Sequence, residues 1–460
     1  MSDGATLDKK VPWLFFLAMV SQRIAVFMAT AYIIFYVTER MLMTAVLMGA
    51  VMLAVRIFDL IFGVAAGVII QKVCLKHGQY RTWLAYGPFI YALGATMCFI
   101  NPAIPMMAKA VMVFVGYALY GAAMSFIQLS QNGLMAKVAG PNIAVRGAIA
   151  AKLFQGQQVG GIIAAAITMP LVLLVEGMGA DGYSVIQAAL AVLGAFGQLP
   201  LFLLTKEFDS YDPNFKQVGG ASVKLGAVFG ETLKNGQLLL LFVADSLRWT
   251  AYLSLSAIAA YYFRYVAQNM ALLTVALTAQ SVAGLIGSVA GRPIAKKLGK
   301  KGSGLVTGIF CAGFFAALSA LGESTAYMYI ICVCGAYLFW GIIGTWGANL
   351  YLDCGEYQLY KTGKDNRTFA MGFYSISIKV GFALSSTAIA ILLELSGYNG
   401  ATNTVANVPR MVHLMGGILG GLFLLYVLIM LLYGITEEKS KEYAEHNHKT
   451  AQIAKTAAAS

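Results

Sequence analysis

The chain has 460 residues, of which 59% are hydrophobic and only 11% charged, with a formal net charge of +12. A soluble globular chain carries roughly 25% charged residues. The composition therefore excludes a soluble enzyme or a nucleic-acid-binding domain and defines a polytopic membrane protein. The cysteines, Cys74, Cys98, Cys311, Cys332, Cys334 and Cys354, have the spacing of neither a zinc site nor a disulfide framework. No phosphate-binding loop, metal-ligand cluster or nucleophile with its base occurs, so neither cofactor nor metal is expected, and an intramembrane enzyme or a receptor is the weaker alternative.

After Lys9 and Lys10 an apolar run continues without a small-residue cleavage site, so it is predicted to be the first membrane span. Eleven further spans follow, giving 12–37, 42–70, 83–100, 108–135, 147–175, 184–204, 237–263, 270–294, 305–321, 326–352, 368–396 and 411–435. Of the 32 basic residues, 22 fall in one alternate set of connections and the tails. The opposite set holds four, Arg40, Lys109, Arg264 and Arg410. By the excess of positive charge on cytoplasmic loops, both termini are expected in the cytoplasm and the spans to be even in number. The net charge is thus a topology signal; the expected partners are membrane lipids and a small solute, not nucleic acid.

The expected organisation is an N-terminal six-helix bundle at 1–205, a cytoplasmic linker at 206–236, a second six-helix bundle at 237–436 and a cytoplasmic tail at 437–460. The linker carries Asp-Pro and Gly-Gly punctuation, and 222–234 could lie on the membrane surface as a helix. The halves rhyme. The connection QKVCLKHGQYR after span two and RPIAKKLGKKG after span eight are both basic, glycine-containing and six spans apart. Repeats of this kind belong to transporters. The fold class is therefore an all-α membrane protein of twelve transmembrane helices in two pseudo-symmetric six-helix bundles.

Six basic residues remain inside or at the edges of spans: Arg23, Arg56, Lys152, Arg248, Arg292 and Lys379. Arg292 stands near a helix end, where its head can reach the interface. A charge near the bilayer centre costs about 2.5–3.5 kcal/mol on insertion scales, so such residues mark function by default. In VMLAVRIFDLIFGVAAGVII, residues 51–70, Arg56 and Asp59 are three apart and share a helix face with Gly63. This pair is expected to serve coupling, or Asp59 to be the internal counter-ion of Arg56. Asp245 and Arg248 repeat the spacing in span seven and are expected to form a structural ion pair. Lys379 and Arg23 have no acid nearby in sequence and suit the charged group of a solute. Tyr120, Gln128, Trp340 and Trp346 are expected to contact the rest of it, although tyrosines and tryptophans equally serve helix packing.

These residues carry a resemblance. Asp353, Glu356–Tyr357, Thr362–Gly363, Arg367, Lys379 and Gly381–Ala383, with RIFD at 56–59, GQYRTW at 78–83 and PIAKKLGKK at 293–301, resemble the signature of the glycoside–pentoside–hexuronide:cation symporters, the family of melibiose permease. The resemblance covers nearly the whole chain and implies the major facilitator fold. It implies that Asp59 matches the first of two cation-binding acids in span two, with Gly63 in place of the second. It implies that Arg23 stands where sugar-binding members have a substrate-binding Asp, that Lys379 matches a lysine linked to sugar and cation, and that Lys152 corresponds to an arginine of span five. No Asp or Glu occurs between residues 60 and 175, so the span-four acid of the family has no counterpart.

Sodium needs several hard oxygen ligands, and at least two family carboxylates are missing. The expected function is therefore alternating-access transport of a small anionic solute, a sugar acid, glycoside or organic acid, coupled to a proton rather than sodium. Sodium-coupled or uncoupled carriage of a neutral glycoside is the alternative. A monomer in the cell membrane, a bacterial inner membrane, is expected.

Overall fold

The computed structural model describes residues 10–139, 143–211, 234–344, 346–363, 367–400 and 402–459. The surface helix expected at 222–234 falls almost entirely outside them. The helices are α1 Val11–Ala31, α2 Ile33–Glu39, α3 Ala45–Lys72, α4 Arg81–Met97, α5 Met106–Ala139, α6 Ile143–Gly177 and α7 Gly182–Leu204. They continue with α8 Gly236–Tyr261, α9 Ala271–Leu321, α10 Ala326–Gly344, α11 Gly347–Thr362, α12 Arg367–Leu395, α13 Val408–Leu432 and α14 Glu437–Ala459. The only strands among the described residues form a two-residue hairpin, β1 Tyr398–Asn399 with β2 Thr404–Val405, paired antiparallel.

Among the described residues, eleven stretches are long and apolar enough to cross a membrane. α4, at 17 residues, is at the short end of spanning length and completes the twelve. Span one is α1 and α2 run together, with the break at Tyr32. Span ten combines α10 and α11. α9 merges spans eight and nine across Gly299, whose φ of 69° is left-handed and turns the chain where other residues would be strained. Lipid offers no hydrogen bonds to an open backbone, so helices are the form such sequences take inside a membrane.

The chain divides into two compact units. Unit one gathers Met1–Gly219, Ala259–Ser281 and Gly397–Ala406; unit two gathers Gly220–Ile258, Val282–Ser396 and Asn407–Ser460. In unit one α1 packs against α6 and α7, α4 lies between α5 and α7, and α3 lies on α5. Glycines bring the backbones together. A Cβ at Gly94 would come within 2.7 Å of the Tyr120 nitrogen, and one at Gly116 within 2.8 Å of the Gly94 carbonyl oxygen. In unit two α11 packs on α12 and α14, and α12 on α13.

Each unit anchors its basic connection on one carboxylate. In unit one the buried Asp209 accepts backbone N–H groups of Gln79 (3.2 Å), Tyr80 (2.7 Å) and Arg81 (2.9 Å) and the Lys137 ammonium (2.6 Å). Gly78, at φ 109°, leaves the room that the Asp209 carboxylate fills. In unit two Lys300 pairs with Asp353, which also accepts the Ser440 hydroxyl at 2.7 Å. The tail, expected only as a polar extension, is the helix α14, docked through Ser440, through Asn447 on the Glu356 carbonyl (3.0 Å) and through Tyr443 against Tyr360.

Candidate functional site

In unit one, α3 and α5 build the first cluster. The three-residue spacing lays Arg56 Nη1 3.1 Å from Asp59 Oδ2, with both side chains 11% exposed. α5 meets the pair with two residues one turn apart. Tyr117 accepts Arg56 Nη2 at 2.8 Å, lies under the guanidinium at 4.8 Å and donates to the Ala29 carbonyl of α1 at 3.3 Å. Gly121 presents bare backbone to Asp59, and a Cβ there would overlap the carboxylate. The pair is thus clamped by a hydroxyl on its cationic half and by close backbone on its anionic half.

That clamp is testable. Gly121→Val should push Asp59 out of position at a cost of about 1–3 kcal/mol, the usual range for overpacking. The thermal midpoint of the detergent-solubilised variant should fall, and Asp59→Ala should restore part of the loss. A midpoint equal to that of the parent chain would show that the two residues do not press on each other.

Tyr120, buried, lies edge-on to Tyr117 at 5.1 Å and to Tyr91 at 6.5 Å. Arg23 is half-buried in α1 and lies along α6, where a Cβ at Gly161 would be 3.6 Å from its Nε. Among the described residues it makes no ion pair or hydrogen bond. Beside it Gln22 is buried and accepts the Gln131 amide at 2.8 Å. Gln128 itself is exposed, and Gln131, less than one turn further along α5, is the buried amide that sequence reasoning passed over. Helix spacing offered a signal for it: Gln131 lies about 20° and Gln128 about 80° around α5 from Tyr120. Lys152 lies over the Trp13 ring at 3.6 Å and the Phe16 ring at 5.9 Å, a cation–π seat at the start of α1.

In unit two, α8 carries the second pair. Arg248 is 1% exposed and its Nε donates to Asp245 Oδ1 at 2.7 Å. Asp245 Oδ2 takes the hydroxyls of Tyr351 (3.2 Å) and Ser377 (3.0 Å). The guanidinium faces the Trp340 ring at 4.3 Å and the Trp249 ring at 5.2 Å. Trp340 in turn stacks on Tyr252 at 3.9 Å and 13° between planes. Trp346, buried, opens α11. Lys379 is half-buried on α12 and engaged by a neighbouring group. Unit two thus joins Asp245, Arg248 and Trp340 in one cluster, as unit one joins Arg56, Asp59 and Tyr120.

Two compact units of apolar helices, each with a buried i,i+3 ion pair and a carboxylate-anchored basic connection among the described residues, fit a transporter of the major facilitator type. Residues 14–437 match the family described as MFS/sugar transport protein, and the chain belongs to it, among the glycoside–pentoside–hexuronide:cation symporters. The chain is similar to the isoprimeverose transporter of Lactiplantibacillus pentosus, 23% identical over 92% of this chain and 88% of that protein. It is similar to the glucuronide carrier protein homolog of Escherichia coli strain K12, 24% identical over 92% of each. Among solved structures, the nucleoside transporter NupG aligns at 14% identity with a TM-score of 0.63, covering 94% of this chain and all of that one. A peptide transporter POT in complex with sulfate gives a TM-score of 0.63 at 15% identity, over 94% of this chain and 95% of that one. These structures share the fold. The chain is a multi-pass membrane transporter of small solutes and not an enzyme.

Proposed function

We propose that the transported solute is a small anion, a sugar acid, an acidic glycoside or an organic acid, and that a proton travels with it. The observation that carries this reading is Arg23, half-buried in the first span with no carboxylate bonded to it among the described residues. An arginine held there, with no counter-ion among the described residues, favours a carboxylate, sulfonate or phosphate by charge-assisted hydrogen bonds. In unit one Arg23 takes the charged group, with Tyr120, Gln128 and Lys152 beside it in role. In unit two Lys379, Trp340 and Trp346 are the solute-binding residues. The relative whose name denotes a glucuronide carrier supports an acidic sugar. The relative named for isoprimeverose favours, as a second reading, a neutral glycoside.

Asp59 is the coupling residue in this proposal. One carboxylate facing Arg56 makes a poor sodium cage, since sodium takes several hard oxygens, but it can accept one proton. An anion bound near Arg56 weakens the hold of the arginine on Asp59 and favours its protonation, which links proton to solute. Asp59→Asn is expected to insert normally and to lose concentrative uptake. Uptake by Asp59→Asn equal to the parent would remove Asp59 from the mechanism. The solute class is tested by accumulation of a panel of sugar acids, organic acids and neutral glycosides; accumulation of neutral glycosides alone contradicts it.

The proposed setting is a monomer in the bacterial inner membrane, with bundles at 1–205 and 237–436 and with the 206–236 linker, the 437–460 tail and both termini in the cytoplasm. The 22-to-4 distribution of basic residues supports this orientation. Cysteines introduced at 215 and 455 should resist a membrane-impermeant maleimide applied outside intact cells, and efficient labelling of either would reverse it.

A further inference from the structure

Glu39 ends α2 with a side chain 4% exposed, and neither the Arg56–Asp59 and Arg248–Asp245 pairs nor the proposed solute-binding residues use it. Its carboxylate accepts the hydroxyls of Tyr265 and, at 2.8 Å, Tyr398, with Arg264 Nε 4.0 Å away. Its backbone carbonyl accepts the Asn403 amide at 3.0 Å. One residue earlier, the Thr38 hydroxyl meets that of Tyr261 at 2.6 Å. Three stretches remote in sequence, the end of span one, the turn after span seven and the hairpin between spans eleven and twelve, therefore close on one carboxylate. All three belong to unit one, although the last two lie in the second half of the sequence.

The backbone is strained in the same three stretches. Among the described residues, the non-glycine positions with positive φ are Leu42 (61°), Gln268 (50°) and Asn403 (51°), one in each. Tyr262–Val266 is a π-helical turn, a rare form frequently found at functional sites. A buried carboxylate needs its hydrogen bonds, and left-handed leucine and glutamine persist only where surrounding contacts hold them. Hydrogen bonds and left-handed backbone thus meet around Glu39.

We propose that Glu39 is the latch that keeps this end of the transporter closed, a positioning residue of the transport cycle. While Tyr265 and Tyr398 donate to it, the turn at 261–268 and the hairpin at 398–405 are held against α2. When those bonds break, the left-handed Leu42 and Gln268 relax and the end opens. The inference rests on the chain being a transporter and not on the charge of its solute.

The test uses Thr30→Cys as reporter, since Thr30 is half-buried and two turns beyond Arg23 on the same face of α1, toward the α2 end. Labelling by an impermeant maleimide is followed in intact cells and in inverted vesicles, with the Thr30 parent as background. Glu39→Ala should raise the labelling rate severalfold from the side that the α2 end faces and should lower steady-state accumulation. Glu39→Gln, which keeps an acceptor, should fall between. Tyr265→Phe with Tyr398→Phe should reproduce Glu39→Ala with the carboxylate intact. Unchanged labelling and accumulation in a well-inserted Glu39→Ala would overturn the latch. If Glu39→Ala does not insert, unchanged labelling in the double phenylalanine variant overturns it equally. Unaltered binding of anionic solutes in Arg23→Ala with the latch behaviour intact would instead count against the proposed function.

Discussion

Asp245→Ala is expected to cost more stability than any other single change at the sites described. It leaves Arg248, 1% exposed, without the carboxylate that takes its Nε and without the anchor of Tyr351 and Ser377. Removing one partner of a buried pair costs about 3–5 kcal/mol, because the other charge stays buried. The yield of folded protein and its thermal midpoint should both fall sharply. Replacing both charges, Asp245→Leu with Arg248→Met, should recover much of the loss, since apolar pairs of similar volume are often neutral or better in such places. The cycle of single and double variants, read by thermal unfolding in detergent, decides. A single variant as stable as the parent would show that the pair does not hold α8 to α11 and α12. A double variant that is stable but fails to transport would move the pair from structure to mechanism.

The second large effect is on binding. Arg23→Ala should weaken an anionic solute by about 2–5 kcal/mol, the range for breaking a desolvated, hydrogen-bonded charge pair. Each 1.4 kcal/mol is about a tenfold change in Kd, so the loss is visible in a simple binding titration. Lys379→Ala should act in the same direction. A neutral analogue of the same solute should bind the parent weakly and be indifferent to both changes. Tight binding of a neutral glycoside, unaltered in Arg23→Ala and Lys379→Ala, would refute an anionic site.

The sequence made the membrane class, the span order and both intramembrane ion pairs legible, because hydropathy and the i,i+3 spacing are local properties. It also showed the two halves to rhyme, which the Asp209 and Asp353 anchors of the two basic connections now explain. What it withheld is long-range. Tyr117 and Gly121 sit about 60 residues from the pair they clamp, and nothing in GYALYG marks one as hydroxyl acceptor and the other as bare contact. That Gln131 meets Gln22, a partner more than 100 residues away, is not local either. The Lys152 seat on Trp13 likewise needs α1 and α6 to be adjacent. The Glu39 cluster needs residues 39, 265 and 398 together, and no pattern in the sequence announces that. The docked tail helix was hidden for a different reason: its polar composition reads as solvated, and the contacts that tie it down, among them those of Ser440, Tyr443 and Asn447, reach residues far away in sequence.

The most direct measurement of the central claim, a proton-coupled carrier of an anion, is uptake into proteoliposomes under one imposed gradient at a time. The anionic solute found in the panel should accumulate when the interior is made alkaline with sodium equal on both sides, and Asp59→Asn should only equilibrate it. Accumulation driven by a sodium gradient with pH clamped, and none driven by the pH gradient, would contradict the assignment of Asp59 as a proton site.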